Sequence, residues 1–124
     1  SVTGVQTCAL PIYPAECRRI LRPDGHLIVA IPAADDLVEL RTLVQGAGVE
    51  RDRVPLLREE HRAHFTAASH ETVRQPLALT RAQLQALLRG TYRGERFSEA
   101  PQVQALESMV VTLASDVVVF RPKA

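Results

Sequence analysis

The apolar run Leu27-Ile28-Val29-Ala30-Ile31, closed by Pro32, restricts the fold of this chain more than any other feature. Unbroken hydrophobicity over so short a stretch predicts a strand covered on both faces, the habit of a central strand in a parallel sheet. The residues in front of it supply a helix and a turn. Pro14 suits a first helical turn, where its missing N–H has no partner to lose, and Cys17, Ile20 and Leu21 fall on one apolar face. Arg22-Pro23 disfavours further helix, and Asp24-Gly25 has turn chemistry. Residues 14–32 therefore predict helix, turn and buried strand in succession. Such a strand requires neighbours: Leu27 to Ile31 is expected to pair on one side with residues 72–79 or 109–120 and to be unpaired on the other, an exposed edge of the kind that promotes association.

The segments that follow can cover or pair with it. Asp35 or Asp36 can cap a helix, and Asp36 with Glu39 has the spacing of a capping box. Leu37, Leu40, Leu43 and Val44 give that helix a buried stripe, ended by Gly46 or Gly48. Residues 49–64 mix charges around Val54-Pro55-Leu56-Leu57, which predicts a solvated insertion or helix. Residues 72–79 read as an edge strand, because Pro76 cannot donate to a ladder. Thr80 and Gln83 form a second capping box before Leu84, Leu87 and Leu88, with Gly90 at the C′ position. A short helix over 101–108 turns Val103 and Leu106 inward. Residues 109–120 predict a last strand with an irregularity at Ser115-Asp116 and deep burial over 117–120.

Composition narrows the function classes. A chain of 124 residues with 46% hydrophobic content belongs to a globular domain or part of one. Its net charge of +1 gives no general attraction to nucleic acid, so any RNA contact must rest on a local patch or another domain. No apolar run approaches the ~20 residues of a membrane span and no leader peptide is recognisable, which makes the cytoplasm the default location. His61, His64 and His70 lie within ten residues, but no cysteine supports them and the run is not H-E-x-x-H. No metal is expected there, and the histidines are expected to face solvent or bond locally. Cys17 reads as a small core hydrophobe.

Two places can meet a substrate. The loop from Pro32 to Asp36, with Asp35 and Asp36, follows the carboxyl end of the first strand, where open α/β sheets bind ligands. In the competing reading the two aspartates only cap the next helix. Thr91-Tyr92-Arg93-Gly94-Glu95-Arg96-Phe97 sets Arg93 and Arg96 beside two aromatics, a pattern suited to a phosphate and a stacked base. Its competing reading is a glycine-hinged surface loop.

Leu21 to Gly25 and Leu27 to Ile31, a helix end, an Arg-Pro-Asp-Gly turn and a hydrophobic strand, resemble the fifth-strand region of class I S-adenosylmethionine-dependent methyltransferases. Pro32, Leu37, Glu39, Leu40 and Arg41 resemble the segment that follows in the large-subunit ribosomal RNA guanine-N(1) methyltransferases. Leu87, Leu88, Thr91 and Arg96 fall where that family has Leu-Leu, Met-Thr-Pro and an Arg, and VVTLASDVVVFRP resembles its last strand. The pattern departs at Asp36, where the family has His, at Gly90 and Tyr92, which replace Met and Pro, and at Glu95, which replaces Trp.

The resemblance implies an α/β fold: the C-terminal part of a Rossmann-like class I methyltransferase sheet, about three strands with covering helices, lacking the N-terminal cofactor-binding half. S-adenosylmethionine would be the cofactor of the intact parent enzyme, its main binding motif lying outside these residues. The acceptor would be a guanine of ribosomal RNA; the alternatives are a small-molecule methyl acceptor on the same fold, or a non-catalytic α/β module. Pro32, Asp35, Asp36, Thr91, Tyr92, Arg93 and Arg96 are the substrate-side candidates, and no catalytic base is identified. Residues 13–124 would form the methyltransferase part. Residues 1–12 read as a non-native leader, since VTGVQTCALPI resembles the translation of a sequencing adapter.

Overall fold

The computed structural model describes residues 13–46, 51–90 and 94–124. In chain order these form α1 (Pro14–Ile20), β1 (Leu27–Pro32), α2 (Val38–Gln45), α3 (Val54–His61), β2 (Phe65–Thr80), α4 (Arg81–Arg89), a 3₁₀ turn (Glu95–Phe97), α5 (Pro101–Gln104) and β3 (Ser108–Pro122). The strands make one sheet in the order β1-β3-β2. β1 runs antiparallel to β3 in a one-to-one register from Leu27↔Phe120 to Pro32↔Ser115. His64 accepts from the Lys123 amide and His70 meets Asp116, so rising numbers on β2 face falling numbers on β3 and this pair is antiparallel too. β1 and β2 are therefore parallel to each other, with the last strand between them. Among the described residues β1 is paired on one side only, with β3.

The chain divides into two compact units, one of residues up to Pro32 with Asp52–Thr72 and Ser115–Ala124, the other of Ala33–Arg51 and Val73–Ala114. In the first, Cys17 of α1 and Val54 and Leu57 of α3 join Val29, Phe65, Val118 and Phe120 in a core, with Leu21, Leu27, Ile31 and Ala67 around it. Each such side chain contributes about 1.5–3 kcal/mol when fully buried. Cys17 is the small core residue its spacing predicts.

Full cover of β1 is the first correction. Val29 is buried, whereas Ile28 is 64% exposed, and Ala30 and Pro32 are exposed as well. Among the described residues, α1 and α3 supply apolar side chains to the Val29 face alone, and Ile28, Ala30 and Pro32 pair with Val119, Val117 and Ser115 on the other. A run without alternation has thus become a strand buried on one side.

β3 brings the second. Its register against β1 passes through Ser115 and Asp116 without a break. Burial instead changes phase earlier, between Val111 and the even-numbered set Ala114, Asp116, Val118 and Phe120, which leaves Val117 and Val119 half-buried. β2 also begins at Phe65, seven residues before the expected edge strand, because Phe65 enters the core.

The second unit packs α2, α4 and α5 around Leu40, Val44, Leu84, Leu88, Val103 and Val111, with Leu37, Leu43, Leu87, Phe97 and Leu106 against them. The predicted stripes of α2 and α4 are the buried ones. Thr80 and Gln83 make the reciprocal capping box. Gly46 ends α2 at φ 79°, the left-handed geometry that glycine adopts without a Cβ penalty. Gly90 differs from expectation: it is the C-cap of α4 with φ −75°, outside the left-handed region. α5 closes at Gln104, so the short helix predicted over 101–108 covers only its first turn. No helix among the described residues is long and apolar enough to cross a membrane.

Candidate functional site

In the second unit, the residues after β1 are fixed to β3 by both backbone and side chain. The Ala33 amide donates to the Ala114 carbonyl at 3.0 Å and the Leu37 amide to the Thr112 carbonyl at 2.7 Å. In return the Ala114 amide donates to Asp36 Oδ1 at 2.8 Å. The Thr112 amide and hydroxyl donate to the two Glu39 oxygens at 2.9 and 2.8 Å. Two carboxylates therefore complete the ladder that a continuing strand would have made, and buried backbone donors are satisfied without one.

This arrangement overturns the capping reading of Asp36 and Glu39. The N-cap of α2 is Leu37, and no side chain caps the helix. Leu37 has φ 54°, a left-handed conformation unusual for a leucine. Arg41 closes the loop from the helix side, its Nε donating to the Asp36 carbonyl at 3.0 Å and its Nη2 to the Ala34 carbonyl at 2.9 Å. Glu39, expected to cap α2, and Arg41, which figured only in the resemblance, instead hold the loop in place.

Asp35 takes a different partner. Its Oδ2 accepts from Arg74 Nε at 2.8 Å, and that bond is the main reason its carboxyl titrates below the ordinary range. Glu39 is also lowered: burial pulls it upward, but bonds from its own amide and from the Thr112 amide and hydroxyl outweigh that. Both side chains are thus held as anions, one toward an arginine and one toward a strand. Neither is a poised proton acceptor.

The other candidates are more dispersed. Pro32 ends β1 and is exposed. Arg96 is exposed in the 3₁₀ turn, its guanidinium 4.7 Å from the centre of the Phe97 ring. Thr91, Tyr92 and Arg93 lie outside the described residues. Of the candidates, the structure brings Asp35 and Asp36 into one ordered loop and gives Arg96 a local aromatic partner.

The first unit contains a polar cluster that the sequence reading passed over. Asp116 is only 5% exposed among apolar neighbours on β3, and its Oδ1 meets His70 Nε2 at 2.8 Å and the Thr72 hydroxyl at 2.6 Å. Asp116 pairs with Ile31 across the ladder, so this cluster is level with the carboxyl end of β1. An aspartate inside VVTLASDVVVF was the available signal: a carboxylate in a buried run needs a bonding partner. His61 is buried against Phe120, with ring centres 4.7 Å apart, rather than solvent-facing. Its Nδ1 bonds locally, to the Leu57 carbonyl at 2.8 Å.

The chain is similar to two 23S rRNA guanine methyltransferases. It is 39% identical over 80 residues to the 23S rRNA (guanine(748)-N(1))-methyltransferase of Streptomyces fradiae, a match covering 61% of this chain and 29% of that protein. It is 37% identical over 73 residues to a protein of Micromonospora griseorubida named as a 23S rRNA (guanine-N(1)-)-methyltransferase, covering 59% of this chain and 25% of the relative. The chain thus spans between a quarter and a third of the length of the curated relatives it matches. No family model matches the sequence.

The described residues do not fit S-adenosylmethionine by themselves. β1 leads to the Asp35-Asp36 loop and β2 passes through Thr80 directly into α4, so among the described residues no glycine-rich turn joins a strand to a helix to cradle the cofactor.

Proposed function

We propose that this chain is the C-terminal portion of an S-adenosylmethionine-dependent methyltransferase that modifies a guanine of large-subunit ribosomal RNA. The observation that carries the reading is the identity of 37–39% over about three-fifths of the chain to two proteins named for that activity. The strand arrangement supports it. Two parallel strands flank an antiparallel last strand, and among the described residues β1 is paired on one side only, which leaves it an edge on which a parallel Rossmann-like sheet can continue. In this reading residues 13–124 supply the substrate side of the domain, residues 1–12 are a non-native leader, and the protein works in the cytoplasm.

The cofactor would bring an electrophilic methyl group, held by contacts outside residues 13–124. What these residues contribute is position: the loop at 33–37 is fixed by its bonds to Thr112 and Ala114 and by Arg41. Such fixing keeps a substrate-side loop in one geometry, which is how positioning lowers a barrier. The test uses the complete reading frame around residues 13–124, incubated with S-adenosylmethionine and ribosomal RNA. A new N(1)-methylguanine, seen as a block to reverse transcription, is the expected result. Methylation of a small molecule with no mark on RNA would overturn the reading. Residues 13–124 alone are expected to bind S-adenosylmethionine undetectably by calorimetry.

A further inference from the structure

We propose that His70 accepts the proton of the nitrogen to be methylated, with Asp116 as its positioning residue; the assignment rests on the guanine reading above. The first support is the hydrogen-bond arrangement. Asp116 is buried, and its Oδ1 takes both His70 Nε2 at 2.8 Å and the Thr72 hydroxyl at 2.6 Å. An ionised carboxylate only accepts, so Nε2 carries a hydrogen, and in the neutral ring Nδ1 then keeps its lone pair. A buried acid thus sets the tautomer and orientation of an imidazole that stays partly open, with 31% of its side chain exposed.

Location is the second support. Asp116 pairs with Ile31, the penultimate residue of β1, which sets the His70-Asp116 pair level with the carboxyl end of that strand. Ligands of open α/β sheets bind outside that end. Neither Asp35 nor Glu39 can take the role, since bonding holds both as stable anions below the ordinary carboxylate range.

The chemistry asks for such a group. A guanine ring nitrogen that bears hydrogen must lose it for the methylated base to be neutral. The N–H bond breaks, its electron pair stays on the ring nitrogen, and the proton bonds to Nδ1. The imidazolium so formed is stabilised by the Asp116 carboxylate on its far side. Imidazole is the side chain most often used for such transfers, and a positioned one contributes about 10²–10⁴-fold.

Two measurements test this. Long-range nitrogen–proton NMR of the chain should find His70 as the Nε2–H tautomer, and Asp116→Asn should abolish that preference. An Nδ1–H ring in the wild type overturns the assignment. In the complete enzyme, His70→Ala should lower kcat by about 100-fold or more while KM for ribosomal RNA stays within about twofold, and added imidazole should restore turnover. His70→Gln, which retains a donor toward Asp116 but no basic nitrogen, should fold with an unchanged Tm and remain inactive. Undiminished turnover in either variant beside an active wild type overturns this assignment alone. A wild type that methylates no guanine overturns the ribosomal RNA reading with it.

Discussion

Asp36 and Ala114 are joined by a hydrogen bond that replaces a rung of sheet, the Ala114 amide donating to the Asp36 carboxylate at 2.8 Å. Ala114 is 2% exposed, so its N–H has no access to water when that acceptor is removed. Asp36→Ala should therefore cost about 1–3 kcal/mol, the penalty for stranding a buried donor. Asp36→Asn, which keeps a carbonyl oxygen of the same reach, should cost under about 1 kcal/mol. Urea denaturation of the two variants checks the order; equal losses would show that charge, not bonding, holds the loop.

Glu39 makes stability depend on acid. Its carboxyl lies below the ordinary value of 4.5 in the folded chain, since bonds from its own amide and from Thr112 outweigh the upward pull of burial. A depressed folded value stabilises fully above the unfolded value and is lost as pH falls through the folded one. The urea midpoint should thus be flat above pH 4.5 and decline below it. Glu39→Gln should show a shallower decline. Some slope should persist, because Asp35 and Glu16 are lowered in the same direction by Arg74 and Arg19. An unchanged slope in the variant would remove Glu39 from the account.

How far these features were legible depends on the distance between partners in sequence. The Thr80-Gln83 box was readable because both of its bonds close within three residues. The Asp36-x-x-Glu39 spacing looked identical, yet its partners lie 78 and 73 residues away on β3, and long-range strand geometry overrode local capping. The His70-Asp116 bond spans 46 residues, and no local pattern encodes it. The stripes on α2 and α4 were legible because helical periodicity is local. Full cover of β1 was not, because an apolar run records only that residues can be buried, while the neighbours decide which ones are.

The Thr80 cap has a measurable worth. Its hydroxyl accepts from the Gln83 amide at 3.3 Å, and the Thr80 amide donates to Gln83 Oε1 at 2.9 Å. α4 has nine residues, too short to persist in water by propensity alone. Thr80→Ala should cost about 1 kcal/mol. Leu84→Ala, at a fully buried position in the same helix, should cost about 2–5 kcal/mol. Both are read by denaturation followed with circular dichroism. Comparable losses would mean that the cap, not the buried face, dominates this helix.

His61 supplies the last test, because its ring is used for packing. It stacks on Phe120 at 4.7 Å with planes 15° apart, and lies 6.0 Å from Phe65. A carbonyl only accepts, so the 2.8 Å contact to Leu57 makes Nδ1 the donor and leaves Nε2 as an acceptor. That atom is buried with no hydrogen-bond partner among the described residues, which is a cost the fold carries. His61→Phe keeps the ring and removes the unmatched acceptor, and should leave stability unchanged or raise it by up to about 1 kcal/mol. His61→Ala empties the space between Phe65 and Phe120 and should cost about 2–4 kcal/mol. If the phenylalanine variant lost as much as the alanine variant, the Leu57 bond and not the stack would be what places this residue, and Nε2 would have to be meeting a bound water instead of an empty wall.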